Sequence, residues 1–555
     1  MDFKAQLKEA LKAYGEDIPL EVPPDQRFGD YAFPCFSLAK TQNKNPAEIA
    51  EAIKNELQNL EYIDKIETKG PYVNFFIKKE ALVNAIMEKL NENDFGQGKK
   101  EEKVLVEYSS PNTNKAQHLG HVRNNCLGVA VANILKKAGY NVNTACIMND
   151  KGMGMAKVIL SYMKWHMNEE PNKKPDHFVS DIYVDYAKHA EDDPSLEKEA
   201  KVINKKFEEE DPEIMEVWKK LTAWVYEGYN TTYKRLGCTF DKTYYESNIY
   251  KAGKDIVEKH KAKLVEEDGA MIMPLEKYGL PNKVMLKSDG TALYMTQDLR
   301  LAELKEEDFH PDTNIYVVGS EQALYFQQLF KTLEILEYPH ADKYHHLSYG
   351  MINLPSGKMK SREGTTVDAD NLMDEVEALA KTEVQKRYPN LSKEEIKQRA
   401  EAISLAAIKF YILKYDTIKD FVFKPEESIS FEGETGPYVQ YTFARINSIF
   451  KKGKLTQKQL NPDYATITEP EYIALIKLLD NFPEKVEESA KHYKPHIICR
   501  YLIDVAQCFN ELYHKYPILK EEETIRDTRL AVCASVQKVL KAGLELLSIQ
   551  VLDEM

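Results

Sequence analysis

The sequence predicts a multidomain α/β protein: a Rossmann-type parallel-sheet domain split by an insertion, preceded by an N-terminal α+β domain and followed by a C-terminal all-α bundle. Three observations carry this reading. A strand, polar loop, helix and second strand follow one another over 104–148, with Gly139 at the C-cap position of the helix, which is the pattern of a βαβ unit. Strand-like apolar runs return at 314–319 and 347–354, only after a charged, mostly helical stretch at about 155–285. Beyond 370 charged helices run to 403 and periodic helices dominate to the C-terminus.

The chain has 555 residues, which at roughly 150 residues per domain leaves room for three to four domains, each with its own core. Lys and Arg total 75 against 89 Asp and Glu, a formal charge of −14, so indiscriminate adhesion to nucleic acid is not expected and any polyanion must meet local basic patches. No run of about 18 residues lacks a charged residue, and no membrane-spanning helix is expected. The first residues read as an amphipathic helix with Phe3, Leu7 and Leu11 on one face, not as a secretion leader. Seven scattered cysteines (35, 126, 146, 238, 499, 508 and 533) form no C-x-x-C pair, so neither a disulfide framework nor a structural zinc is expected, and a cytoplasmic location is.

Taken in order, residues 1–98 form the N-terminal unit, with helical patterns at both ends and, over 63–77, an alternating aromatic-rich stretch that turns at Gly70-Pro71. The polar run 91–103 is a linker. Residues 99–375 form the Rossmann-type domain, interrupted by the insertion at about 155–285; 376–430 is a helical connector, and 431–555 is the bundle. Its expected core includes Ile476, Ile497, Leu502, Phe509, Leu530, Val539, Leu544 and Leu547.

Chemistry concentrates in two segments. The first, Ser109 to His121, lies between the first strand and its helix. Such a helix N-terminus offers free N–H groups and a positive dipole end to phosphates. Gly120, without a β-carbon, lets a planar base approach the backbone, while His118 and His121 share one face and Lys115 adds a cation. The second, Gly357 to Gly364, is a basic loop after the last apolar strand, in which Lys358, Lys360 and Arg362 suit phosphate charge stabilisation.

Together the two segments resemble the HIGH and KMSKS motifs of class I aminoacyl-tRNA synthetases. Further matches resemble the arginyl-tRNA synthetase family along the whole chain: S-P-N-x-x-K-x-x-H-x-G-H over 110–121, Asn149-Asp150-x-Gly152, Tyr294-x-x-x-Asp298, 317–322 (VVGSEQ), 433–445 (GETGPYVQYTFAR) and the final Met555. In the second motif Lys360 and Ser361 stand where the general pattern has Ser and then Lys; in the family, a lysine at the position of Lys115 is thought to compensate.

The resemblance implies ATP-dependent activation of L-arginine and its transfer to the terminal adenosine of tRNA(Arg), with Mg2+ assisting and no protein nucleophile. It assigns Lys115, His118, Gly120, His121, Lys358, Lys360, Ser361 and Arg362 to ATP. Tyr294 and Asp298, four apart on one helical face, suit a planar cation, and Asn112, Asn149 and Gln322 would hold the amino acid's backbone groups. For tRNA it implies Asn74 in the N-terminal domain, and Tyr438, Tyr441, Tyr513 and Met555 in an anticodon-binding bundle, beside a basic cluster at Lys451, Lys452, Lys454 and Lys458. Stacking on aromatics reconciles RNA binding with an acidic chain. A monomer is expected. Another class I synthetase, a small nucleotidyltransferase and a catalytically silent tRNA-binding protein remain as alternatives; the absent zinc cysteines, the two flanking domains and the intact motifs weigh against them in turn.

Overall fold

A computed structural model describes residues 3–15, 18–23, 25–58, 60–290, 292–355 and 367–555. The chain divides into two compact units: residues 1–95, 445–482 and 504–540 in one, and 96–444, 483–503 and 541–555 in the other.

In the first unit, β1 (Tyr31–Pro34), β2 (Ile63–Lys69) and β3 (Tyr72–Ile77) form an antiparallel sheet in the order β1-β3-β2. The β2–β3 turn needs Gly70, whose φ is +58°. Gly29 has no room for a β-carbon, which would lie 2.7 Å from the Phe75 carbonyl oxygen, and Asp30 accepts the Ile77 N–H at 2.9 Å. The 28–32 stretch is therefore built into the sheet edge. Within the same unit, Lys477 pairs with Asp30 and Lys89 with Asp480.

The second unit is built on a five-stranded parallel sheet of β4 (Lys103–Glu107), β5 (Asn141–Met148), β6 (Lys242–Tyr245), β10 (Thr313–Gly319) and β11 (Tyr344–Tyr349), ordered β11-β10-β4-β5-β6. Between β6 and β10 lies a small antiparallel sheet of β7 (Val265–Glu267), β8 (Ala270–Met273) and β9 (Lys283–Leu286). β4, β10 and the second half of β5 (Ala145–Met148) carry the apolar runs expected of strands covered on both faces.

Two sequence expectations change here. The stretch 155–285 is not purely an insertion of helices, because β6 inside it is an edge strand of the central sheet. In that strand only Tyr244 is buried, so it lacks the apolar signature of its neighbours. The strand read over 347–354 begins at Tyr344 and ends at Tyr349; Ile352–Asn353 pairs separately with Phe421–Val422. At Gly350 the chain leaves the sheet, its N–H donating to the Thr417 carbonyl at 3.0 Å, and a β-carbon there would lie 2.5 Å from Asp420.

The order reverses at β4, where the chain crosses one way to β5 and the other to β10, and this switch point is where open parallel sheets bind ligands. The helix Leu119–Lys137 after β4 is buried on nearly all sides. In the helix Tyr294–Phe309, Met295, Leu299 and Ala302 recur at helical spacing and pack with Leu329 and Leu333. That apolar stripe turns Tyr294 and Asp298 away from the core. Of the core residues expected in the bundle all are buried except Ile497, whose neighbour Ile498 takes the interior position. Among the described residues no helix is long and apolar enough to cross a membrane.

Candidate active site

Backbone at the end of β4 positions the first motif. Ser109 takes a left-handed φ of +63°, a conformation that costs an L-residue of order 1 kcal/mol and needs outside support. Asn124 supplies it by accepting the Ser109 N–H at 2.7 Å, while its amide donates to the Val317 carbonyl at 2.6 Å. The ends of β4 and β10 are thereby stitched together. Further along, Tyr229 donates to the carbonyls of Asn112 at 2.9 Å and Lys115 at 2.6 Å, and Asn112 bridges Asn149 at the end of β5.

His118 is the N-cap of the helix Leu119–Lys137. Its Nδ1 accepts the Gly120 N–H at 3.1 Å, and its own N–H donates to Nδ1 of His121 at 3.1 Å, a reciprocal cap made from two imidazoles. The rings lie 4.0 Å apart. A β-carbon on Gly120 would come within 2.9 Å of the His118 ring, so this glycine is required by the cap. Burial, reinforced by the Lys115 charge, lowers His118 to about 4, and burial with the neighbouring His118 pushes His121 well below the ordinary range. Both rings are neutral at pH 7. With Nδ1 accepting, each carries its proton on Nε2 and is a donor there.

Two adjoining cavities open at the switch point. One, of about 470 Å3, is lined by His118, Gly120, His121, Asn124, Gly319, Glu321 and residues 349–353. The other, of about 450 Å3, is lined by Glu107, Asn149, Lys151, Glu246, Tyr294, Gln297, Asp298, Tyr325 and Phe326. Ser110, Asn112, Val318 and Gln322 line both. The five residues expected to hold an amino acid, Asn112, Asn149, Tyr294, Asp298 and Gln322, thus surround one cavity, beside the cavity of the histidines.

The second cavity is an acid-rich hole. Tyr325 donates its hydroxyl to Asp298; burial nevertheless raises that carboxyl to about 6, with Glu107 adding to the effect. Glu246 is raised further, to about 7, by burial and by Asp150. Burial also lowers Lys151 to about 8; its ammonium lies 3.0 Å from the centre of the Tyr250 ring. Glu107 is paired at 2.5 Å with Lys305, itself 1% exposed. Carboxyl groups whose charged form is penalised by burial gain most from a cation brought among them.

Sequence reasoning missed Glu107, Glu246 and Tyr325. Glu107 ends β4 and Glu246 directly follows β6, so both stand at carboxyl ends of parallel strands, a position that itself signals ligand contact. The second motif's Lys358, Lys360, Ser361 and Arg362 lie outside the described residues.

Of the residues expected at RNA, Asn74 is buried on β3 and lines a hole of about 410 Å3 with Phe28, Lys69 and Tyr72. Tyr438 and Tyr441 are half-buried on the helix Gly436–Gly453, with Arg387 near Tyr441. Tyr513, also half-buried, is covered by the Arg445 guanidinium at 5.3 Å. Met555 is buried, and its main-chain oxygen accepts from Tyr388.

A parallel sheet of this order, with a two-histidine helix cap at its switch point, defines the catalytic domain of a class I aminoacyl-tRNA synthetase. Residues 54–424 match the family model of class I (R) tRNA synthetase catalytic domains, residues 1–77 the arginyl-tRNA synthetase N-terminal domain, and residues 439–555 the DALR anticodon-binding domain. The arginine–tRNA ligase of Treponema denticola is 39% identical, covering 98% of this chain and 96% of that one, and the Bacteroides thetaiotaomicron ligase is 38% identical, covering 99% of each. Thermus thermophilus arginyl-tRNA synthetase superposes with a TM-score of 0.81 at 28% identity, covering 100% of this chain and 99% of its own. The chain belongs to the arginyl-tRNA synthetase family: it is an enzyme that activates arginine and transfers it to tRNA(Arg). The class I fold implies ATP with Mg2+ as substrate.

Proposed function

We propose that the acid-rich cavity holds the arginine side chain and the adjoining cavity holds ATP, so that the arginine carboxylate meets the α-phosphate at the wall they share. Asp298, fixed by Tyr325, accepts from the guanidinium, and Tyr294 covers its face. Asn112, Asn149 and Gln322 hold the α-amino and carboxylate groups. The carboxylate oxygen bonds to the α-phosphorus as pyrophosphate leaves. The Nε2–H groups of His118 and His121 donate to the phosphate oxygens as charge builds there, and the adenine lies against Gly120. Lys115, Lys358, Lys360, Ser361 and Arg362 are assigned to the outer phosphates. A hydroxyl of the terminal adenosine then attacks the arginyl carbonyl, and AMP departs. No covalent enzyme intermediate enters this scheme, in which positioning and electrostatics supply the rate.

The observation that carries the reading is the sharing of Ser110, Asn112, Val318 and Gln322 by the two cavities. Asp298→Ala tests it: arginine affinity falls strongly while ATP still binds. Equal affinity of the wild type for arginine and for its neutral analogue citrulline would overturn the assignment.

For tRNA we propose that Asn74 and the aromatic hole around it take an unpaired base, and that Tyr438, Tyr441, Tyr513 and the Met555 terminus meet the anticodon, with Lys451, Lys452, Lys454 and Lys458 on phosphates. The hole's Phe28 and Tyr72 support the first, since a splayed base stacks on aromatic faces. Cytoplasmic residence is supported by seven cysteines that are all unpaired. We also propose that the chain acts as a monomer, which sedimentation at working concentration checks.

A further inference from the structure

A buried charged cluster next to the first motif takes no part in the scheme above. Lys174 Nζ donates to Asp370 Oδ2 at 2.8 Å, to Asp176 Oδ2 at 3.0 Å and to Thr232 Oγ1 at 2.7 Å. His177 Nε2 lies 3.0 Å from the same Asp370 oxygen, and its Nδ1 lies 3.7 Å from Asp368. The Thr232 hydroxyl donates to Asp370 at 3.2 Å. Asp176 is fully buried and rests against Gly228, where a β-carbon would lie 2.1 Å from its Oδ1. Donor atoms of Asp176, His177 and Asp370 lie within 4.8 Å of one another, as in a cation site, but the Lys174 ammonium stands among them.

Three separate parts of the chain meet here. Lys174 and His177 come from the start of the helix Pro175–Asp192, Thr232 and Gly228 from the helix Pro212–Leu236, and Asp368 and Asp370 from the start of the helix Ala369–Arg387. Two of these parts also hold the first motif directly. Ala369 N–H donates to the Gln117 carbonyl at 2.8 Å, and the Val367 carbonyl accepts the Leu119 N–H at 3.2 Å, pairing Asp368 with His118. On the other side Tyr229, adjacent to Gly228, holds the Asn112 and Lys115 carbonyls. Leu119 N–H is one of the first donors of this helix and has no intrahelical partner, so the Val367 carbonyl that accepts it helps set how that N-terminus is placed to meet a phosphate.

We infer that Asp370, held by Lys174, His177 and Thr232, is a positioning residue for adenylate formation: it fixes residues 367–369 against 117–119 and so sets the His118 cap. The inference rests on the placing of ATP over His118 and goes beyond it, since none of these side chains lines either cavity. Arginine sits on the far side of the shared wall, and its binding is left alone. A reacting pair displaced by about 1 Å loses up to roughly 100-fold in rate.

The test is arginine-dependent pyrophosphate exchange by the full chain with tRNA present, comparing wild type, Lys174→Met, Lys174→Arg, Asp370→Asn and Thr232→Val, with His121→Ala as control. Lys174→Met and Asp370→Asn are expected to lose about 10-fold or more in kcat with KM for arginine within about twofold, and Lys174→Arg to recover most of the loss, as for a group that acts through orientation. Thr232→Val, which removes one hydroxyl and keeps the shape, is expected to lose kcat in the same sense and serves if a charge variant does not fold. Folded variants with wild-type kcat, or with kcat and arginine affinity falling in proportion, would overturn the inference. Full activity in His121→Ala would instead overturn the ATP placement beneath it.

Discussion

The main-chain N–H of His118 donates to Nδ1 of His121, 3.1 Å away, so the two histidines of the first motif are one structural unit. Because Nδ1 of His118 in turn accepts from Gly120, both rings carry their proton on Nε2 and are neutral donors there. His121→Ala removes one donor and half of the cap. Adenylate formation is expected to fall by roughly 100-fold or more, about 3 kcal/mol of transition-state stabilisation. Single-turnover formation of arginyl-adenylate measures it, and an unchanged rate would place the chemistry elsewhere.

The same cap makes stability depend on pH. Burial lowers His118 to about 4 from an ordinary value of 6.5, so the folded chain holds fewer protons than the unfolded one between these limits. The contribution is complete above pH 6.5 and is lost as pH falls toward 4. Melting curves of wild type and His118→Asn over that window are expected to converge at low pH, because asparagine caps the helix without titrating. A constant difference across the window would show that His118 is not held neutral by the fold.

Arginine binding is expected to weaken on mild acidification. Asp298 titrates near 6 and Glu246 near 7, both raised by burial, and the carboxylates attract a guanidinium only when ionised. Affinity should be flat above about pH 7.5 and fall progressively below it, whereas ATP affinity, resting on the neutral histidines, should change less. Calorimetric titration of each ligand between pH 5.5 and 8, as two separate series, tests this, and parallel pH profiles for the two ligands would contradict it.

Arg123, 1% exposed, spends its guanidinium on four carbonyls: Gly350 at 2.6 Å, Met351 at 3.1 Å, Thr417 at 2.8 Å and Lys419 at 2.9 Å. It also lies over the Phe421 ring at 4.7 Å. Gly350 and Met351 wall the histidine cavity. Arg123→Met is expected to cost on the order of 3–5 kcal/mol in stability, because four carbonyls lose a charged donor, and to raise KM for ATP more than for arginine. Denaturant melts and KM determinations read the two effects separately.

Asn74→Ala should raise KM for tRNA by several-fold and leave ATP and arginine affinities unchanged. Filter binding of tRNA measures the first, and a variant that binds tRNA like the wild type would leave the hole around Phe28 and Tyr72 without its assigned occupant.

What the sequence made legible follows burial. β4, β10 and the second half of β5 are covered on both faces and read as apolar runs, and Tyr294 and Asp298 share a helical face that the structure turns into a cavity. β6 and β11 are the sheet's edges, with mixed polar faces, and their limits escape a reading based on apolar runs. Glu107 and Glu246 were hidden for a related reason. A carboxylate at a strand end looks like ordinary punctuation until the sheet order shows that both ends point into one hole. The Lys174–Asp370 contact joins residues far apart in the chain and leaves no periodic trace at all.

The central claim is that the acid-rich cavity reads the guanidinium charge through Asp298. The most direct measurement is tRNA charging by wild type and Asp298→Asn with arginine and with citrulline, an isostere that keeps the shape and lacks the charge. The account expects the wild type to charge arginine and reject citrulline, and the variant to lose arginine charging by a factor of about 100 or more while its ATP affinity holds. Efficient arginine charging by Asp298→Asn, or citrulline charged by the wild type as well as arginine, would contradict it.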